Sequence, residues 1–110
     1  MSFKVFILHS AKLDLRDTRD YILKKFSHDV WLATSAQVRN AIETLATSPF
    51  AGSIPDELKT VNLNDYRQVV SGMNRIIYEI RQDVVFVHAV IDVRRDLMSF
   101  LTKRLLRANF

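Results

Sequence analysis

Cysteine is absent from these 110 residues, and glycine and proline occur only twice each. The lack of thiols excludes disulfide frameworks, thiolate nucleophiles and cysteine zinc sites, and it suits a reducing cytoplasm. Two glycines, Gly52 and Gly72, cannot furnish a glycine-rich phosphate loop. No apolar run nears the ~20 residues that a membrane span requires. The opening Met1-Ser2-Phe3-Lys4 has neither the long apolar stretch nor the small-residue cleavage site of a secretion signal. The chain is therefore expected to be cytoplasmic and to avoid membranes. Its three histidines, His9, His28 and His88, fall on separate segments with no Ser–His–Asp pattern and no ligand spacing. Neither a metal nor a cofactor is expected. His88 reads as a buried, satisfied histidine on a strand face shared with Phe86 and Val90.

What is present is an ordinary globular composition, 48% hydrophobic and 25% charged, at a length that suits one domain over 1–110. The net charge of +4 is unevenly spread. Residues 1–64 carry eight Lys/Arg against seven Asp/Glu, whereas 65–110 carry eight against five. That asymmetry favours an anionic partner, either nucleic acid or an acidic protein.

Periodicity supplies the elements. Phe3–Leu8 reads as a strand with apolar residues on both sides, expected to be buried on both faces. Ser10 is placed to cap a helix from Ala11 to about Phe26. Leu15, Ile22 and Phe26 mark its buried face, with Tyr21 nearby, while Asp14 and an Asp20–Lys24 pair belong to its polar surface. Ser27-His28-Asp29 starts a second helix reaching about Thr47, striped by Trp31, Ser35, Val38, Ile42 and Leu45. The two helices must fold back on one another as a hairpin. Ser48-Pro49 ends the second helix, and a loop of roughly ten residues runs through Leu58. Tyr66–Ser71, Arg75–Arg81 and Val84–Ile91 are three strands joined by Gly72-Met73-Asn74 and Gln82-Asp83. Connections so short permit only tight turns, hence an antiparallel meander. A last helix over Arg94–Arg107 presents Leu97, Met98, Phe100, Leu101, Leu105 and Leu106. The order β-α-α-β-β-β-α predicts an α+β fold, with the hairpin packed on a small antiparallel sheet that the first strand joins.

The arginines are the functional candidates. Arg67, Arg75, Arg94 and Arg95 fall at strand beginnings and ends. Antiparallel order sets the start of the second meander strand beside the end of the third, which carries Arg75 toward Arg94 and Arg95. Guanidinium forks give paired hydrogen bonds to phosphate or carboxylate, and a helix start adds backbone N–H donors. Glu79 or Asp83 would be the carboxylates to neutralise Arg75, with Asp92 and Asp96 doing so at the corner. On the last helix Phe100, together with the terminal Phe110, is the apolar candidate for meeting a partner.

In sequence order, Ser10-Ala11-Lys12-Leu13-Asp14-Leu15, Tyr21-Ile22, Ser48-Pro49-Phe50-Ala51-Gly52 and Ile54-Pro55-Asp56-Glu57-Leu58 are followed by Tyr66-Arg67, Arg75-Ile76-Ile77-Tyr78-Glu79-Ile80 and Val90-Ile91-Asp92-Val93-Arg94-Arg95-Asp96-Leu97. This ordered set resembles the RelE/ParE superfamily of toxins from type II toxin–antitoxin modules, and within it the ParE branch. The resemblance implies the α+β fold already read from the pattern. It also implies a growth-inhibiting toxin that traps DNA gyrase on cleaved DNA without catalysis of its own. Its partner would be a ParD-like antitoxin in a toxin–antitoxin hetero-oligomer, and it would meet nucleic acid through the target complex. Arg67, Arg75, Arg94, Arg95 and Phe100 would be the target- or antitoxin-binding residues. The RelE branch implies the alternative, a ribosome-dependent mRNA endoribonuclease whose basic cluster surrounds the scissile phosphate. Against that alternative, Val69 stands where such nucleases tend to carry lysine, and the final helix presents Phe100 and no tyrosine. Tyr78 shares a strand face with Ile76 and Ile80, the position of a core residue.

Overall fold

Two-residue turns build the sheet. Gly72 adopts φ +59° between Ser71 and Asn74, a left-handed conformation that glycine enters without Cβ cost, and Gln82 adopts φ 55° between Arg81 and Val84. The computed structural model describes residues 2–60 and 65–108, with side chains through 104; Phe110 and the side chains of Leu105 and Leu106 lie outside the described residues. The elements are β1 (Lys4–Ile7), α1 (His9–Lys25), α2 (His28–Thr44), α3 (Asp56–Lys59), β2 (Tyr66–Ser71), β3 (Asn74–Arg81), β4 (Val84–Asp92) and α4 (Leu97–Ala108). The sheet order is β1-β4-β3-β2, antiparallel through the meander, with β1 added parallel to β4.

Helices cover both faces of the sheet. The α1–α2 hairpin packs Ala11, Val38, Ile42 and Leu45 on Ile76, Tyr78, Val85, Val87 and Val90. On the opposite face Leu58 of α3 and Leu97 of α4 pack with Ile77, Ala89 and Ile91. The apolar stripe of α4 therefore helps to close a second, smaller core.

Several local expectations need correction. β1 is buried on one face only: Val5 and Ile7 meet the hairpin core, whereas Phe6 on the other face is 61% exposed. Helix α1 begins two residues before Ala11, so Ser10 lies within its first turn and caps nothing. Its hydroxyl instead donates to the His88 carbonyl at 3.1 Å. The buried face of α1 is Ala11, Asp14 and Ile22, and Phe26 lies past the helix end at 63% exposure. Asp20 takes Arg19 rather than Lys24 as its partner. At α2 the hydroxyl of Ser27 accepts from the Val30 N–H, the expected cap. The loop after Pro49 contains the short α3. Asp96 accepts from the Met98 N–H and the Ser99 hydroxyl, so α4 starts at Leu97 and not at Arg94.

The Pro49–Ser53 segment is pinned rather than loose. The Tyr78 hydroxyl is fully buried, donates to the Pro49 carbonyl at 2.7 Å and accepts from the Gly52 N–H at 3.0 Å. Ser53 forms a backbone bridge with Gln68. Tyr78 is thus a core residue whose hydroxyl serves the loop, and burial pushes that hydroxyl's pKa up.

Candidate functional site

β4 is longer than its outer neighbour, and the site grows from that mismatch. β1 covers only Val84–Val87, which leaves the following residues of β4 without a strand on that edge. At the same place β4 carries one extra residue: Tyr78 faces Val87 while Ile77 faces Ala89, so His88 is a bulge. The bulge turns Val90 to the hairpin face and leaves His88 with Phe86 on the other, separating residues expected to share a face.

Side chains take over the hydrogen bonds of this open edge. Asp14 Oδ2 accepts from the Val90 N–H at 3.0 Å, and Asp14 Oδ1 accepts from Arg104 Nη2. Arg104 Nη1 and Ser10 both donate to the His88 carbonyl, at 2.7 and 3.1 Å. Burial pushes the Asp14 carboxyl above the ordinary aspartate value, an effect the Arg104 guanidinium and the Val90 N–H offset only in part. The pair joins α1, on one side of the sheet, to α4 on the other.

Between these helices opens a cleft of about 500 Å³, lined by α1, the β3–β4 end, the corner after β4 and α4. Arg94, Arg95 and Phe100 all lie here, so three of the five sequence candidates converge. Arg94 is clamped onto Asp92 through two side-chain contacts at 2.8 and 2.9 Å, which holds the Asp92 carboxyl below its usual range. The Arg95 guanidinium lies 5.0 Å from the centre of the Phe100 ring, with Arg104 at 4.4 Å from the same ring. Lys103 and Asn74 line it too, with Asp17, Thr18 and Tyr21 on the α1 side. Asn74 is 7% exposed; its amide meets no hydrogen-bond partner among the described residues and keeps solvent access through the cleft.

Arg67 and Arg75 lie elsewhere. Arg67 donates to the Gly52 carbonyl at 2.7 Å and sits 5.2 Å from the Phe50 ring, on the hairpin side. Arg75 does stand opposite Ile91, as antiparallel order requires, but its side chain turns to α3. Neither Glu79 nor Asp83 neutralises it; Glu57 accepts both terminal nitrogens at 2.9 and 3.1 Å, and Gln68 accepts from Nε at 2.7 Å. Arg75 is 8% exposed, and its Nε and both terminal nitrogens each have an acceptor within the fold. Its hydrogen bonds hold the Glu57 carboxyl below 4.5. A depressed carboxyl stabilises the folded state above its unfolded pKa and loses that contribution as pH falls through the folded value. Urea midpoints measured from pH 6 down to 3 are expected to fall more steeply below about 4.5 for the native chain than for Glu57→Gln.

A second polar cluster lies on the face of the sheet away from the hairpin. His88 Nε2 is 2.9 Å from Glu79 Oε1, Arg81 Nε is 3.0 Å from Glu79 Oε2, and the Tyr66 ring stacks edge-on to His88 at 5.2 Å. Burial works to raise the Glu79 carboxyl, but His88 and Arg81 together hold it below its ordinary value. Among the described residues no group of three or more His, Cys, Asp or Glu could hold a metal ion, and no helix is long and apolar enough to cross a membrane.

The sequence missed Asp14, Asn74, Lys103 and Arg104 as members of the site. Asp14 and Arg104 are 90 residues apart, and only the open β4 edge brings them together.

One similar solved structure is described as a chromosomal ParDE system from P. aeruginosa, with TM-score 0.69 and 9% identity, covering 83% of this chain and 96% of that one. Another is the RelBE2 toxin–antitoxin complex from Mycobacterium tuberculosis, with TM-score 0.57 and 21% identity, covering 84% and 99%. No curated protein matches in sequence. The model of the family described as ParE toxin of the type II toxin–antitoxin system, parDE, matches residues 5–97. The chain belongs to that family and is a toxin of the type II class.

Proposed function

We propose that this toxin inhibits DNA gyrase in the cytoplasm as a binding poison, without breaking bonds itself, and that a ParD-like antitoxin silences it by direct binding. One observation carries the reading: the exposed Arg94 and Arg95 gather with Phe100 and Lys103 at the mouth of one cleft, a cationic and aromatic surface suited to recognising a macromolecule. The family assignment supports an antitoxin partner, and both structural neighbours come from toxin–antitoxin systems. Nucleic acid would be met through the gyrase–DNA complex.

The test is to add purified chain to gyrase, relaxed plasmid and ATP. The expected result is loss of supercoiling with accumulation of linear DNA linked to gyrase. Normal supercoiling, with cuts mapped in translated messages on ribosomes, would reject this reading in favour of a second. That second reading, a ribosome-dependent mRNA endoribonuclease, is favoured by one observation. The carboxylate–imidazole pair Glu79–His88 with Tyr66 alongside has the components of general acid–base catalysis. None of these three residues lines the cleft that holds Arg94 and Arg95.

A further inference from the structure

We propose that two copies of this chain join edge to edge along β1, making one continuous sheet with four strands from each copy. The contact goes beyond the target and antitoxin readings and rests on neither. β1 is an edge strand, bonded to β4 on one side only. The Lys4 N–H donates to the Asp83 carbonyl and the Leu8 N–H to the Val87 carbonyl, so alternate residues of β1 address β4. Val5 and Ile7 therefore direct their N–H and C=O groups outward, and no residue among those described bonds to them. The β4 edge beyond Val87 is different, since Asp14, Ser10 and Arg104 already satisfy it. The β1 edge is open.

Apolar surface borders that edge on both faces. On one face Phe6 is 61% exposed, with its ring 6.3 Å from that of Phe86. On the other face Val5 and Ile7 form the floor of a groove of about 430 Å³, walled by Leu15 of α1 and by Trp31, Val38 and Ile42 of α2. Unpaired main chain and apolar side chains thus run along one strip, the combination that invites an added strand.

Symmetry and charge select a second copy as that strand. An antiparallel pair centred on Phe6 sets Val5 opposite Ile7 of the copy and Ile7 opposite its Val5, so each outward N–H meets a carbonyl. Phe6 then faces its own counterpart in a pair without hydrogen bonds, the closer spacing at which aromatic side chains make contact. Val5 and Ile7 of both copies fall on the same face and extend the floors of the two grooves into one. The charged residues lining the groove, Arg39 and Glu43, cancel, so it has no net attraction for a polynucleotide or an acidic chain. A like surface brings the same balance.

Sedimentation of the purified full chain tests this, with melting followed alongside. A monomer–dimer equilibrium is expected, weakened about tenfold or more by Phe6→Glu, which sets two carboxylates against each other while the exposed site leaves melting little changed. Because the chain has no cysteine, Phe6→Cys introduces a single thiol. Its Cα would stand about 4.5 Å from that of its counterpart, within the span of a disulfide, so mild oxidation should link the copies rapidly. Val70→Cys, similarly exposed on the opposite edge strand, should link only at the slow rate of chance collision. A native chain that stays monomeric at every concentration would overturn the proposal. So would a dimer that Phe6→Glu leaves intact, or one in which Phe6→Cys links no faster than Val70→Cys. Monomers whose Val5 and Ile7 amides gain protection from hydrogen exchange only when a ParD-like antitoxin is added would overturn it too, giving the edge to that partner.

Discussion

Asp14→Ala is expected to destabilise the fold by about 3 kcal/mol, because it leaves the Arg104 guanidinium part-buried without its carboxylate and the buried Val90 N–H without an acceptor. Few single changes in this chain should cost as much. Urea unfolding of the native chain and the variant measures it directly. Asp14→Asn keeps an acceptor for Val90 while removing the charge, so it should cost less, about 1–2 kcal/mol. Adding Arg104→Met to Asp14→Ala should restore part of the loss, since a buried charge without a partner is costlier than an apolar side chain. If Asp14→Ala unfolds at the native urea concentration, the account of the open β4 edge is wrong.

Gly52→Ala is the second large effect, at roughly 3 kcal/mol. A Cβ on Gly52 would lie 2.4 Å from the Gln68 carbonyl oxygen and 2.5 Å from the Tyr78 hydroxyl. No rotamer relieves a contact with a backbone carbonyl in a sheet. The loop must lift, losing the Ser53–Gln68 bridge and the Gly52–Tyr78 hydrogen bond together. Tyr78→Phe alone should cost roughly 1–2 kcal/mol for the two hydrogen bonds of its hydroxyl. Combined with Gly52→Ala, it should cost less than the sum, because both changes break the same bond and one of the two clashes disappears. Strict additivity in thermal or chemical unfolding would contradict this picture.

The meander was legible because its strands are bounded by turn residues that admit few alternatives. The strand ends fall within a residue of their expected places at Asn74 and Asp92. The hairpin was legible through the Ser27 cap and through a stripe whose Val38, Ile42 and Leu45 are buried, while its Trp31 and Ser35 are half-buried. The bulge at His88 was not, because histidine carries no bulge signal of the kind glycine gives, and one extra residue reverses every side chain beyond it. That single slip also hid Asp14, an acidic residue on an otherwise polar helix surface until the open strand edge is known. Arg75 was misread for a related reason. Charge spacing along the meander points to Glu79 and Asp83, while the actual partner, Glu57, comes from a four-residue helix that no periodicity announces. Arg94 and Arg95 do lie together at the corner, since they follow the end of β4 closely and cannot stray far from it.

The central claim is that toxicity travels with that corner and not with the imidazole–carboxylate pair. Growth after induction in a gyrase-proficient host, compared between Arg94→Ala/Arg95→Ala and His88→Gln, tests it most directly. His88→Gln keeps a hydrogen-bonding side chain beside Glu79 but cannot shuttle a proton. The account predicts that cells continue to grow with the folded double arginine variant and arrest with His88→Gln as with the native toxin. Arrest by the arginine variant together with growth in the presence of His88→Gln would contradict it and point to a catalytic toxin.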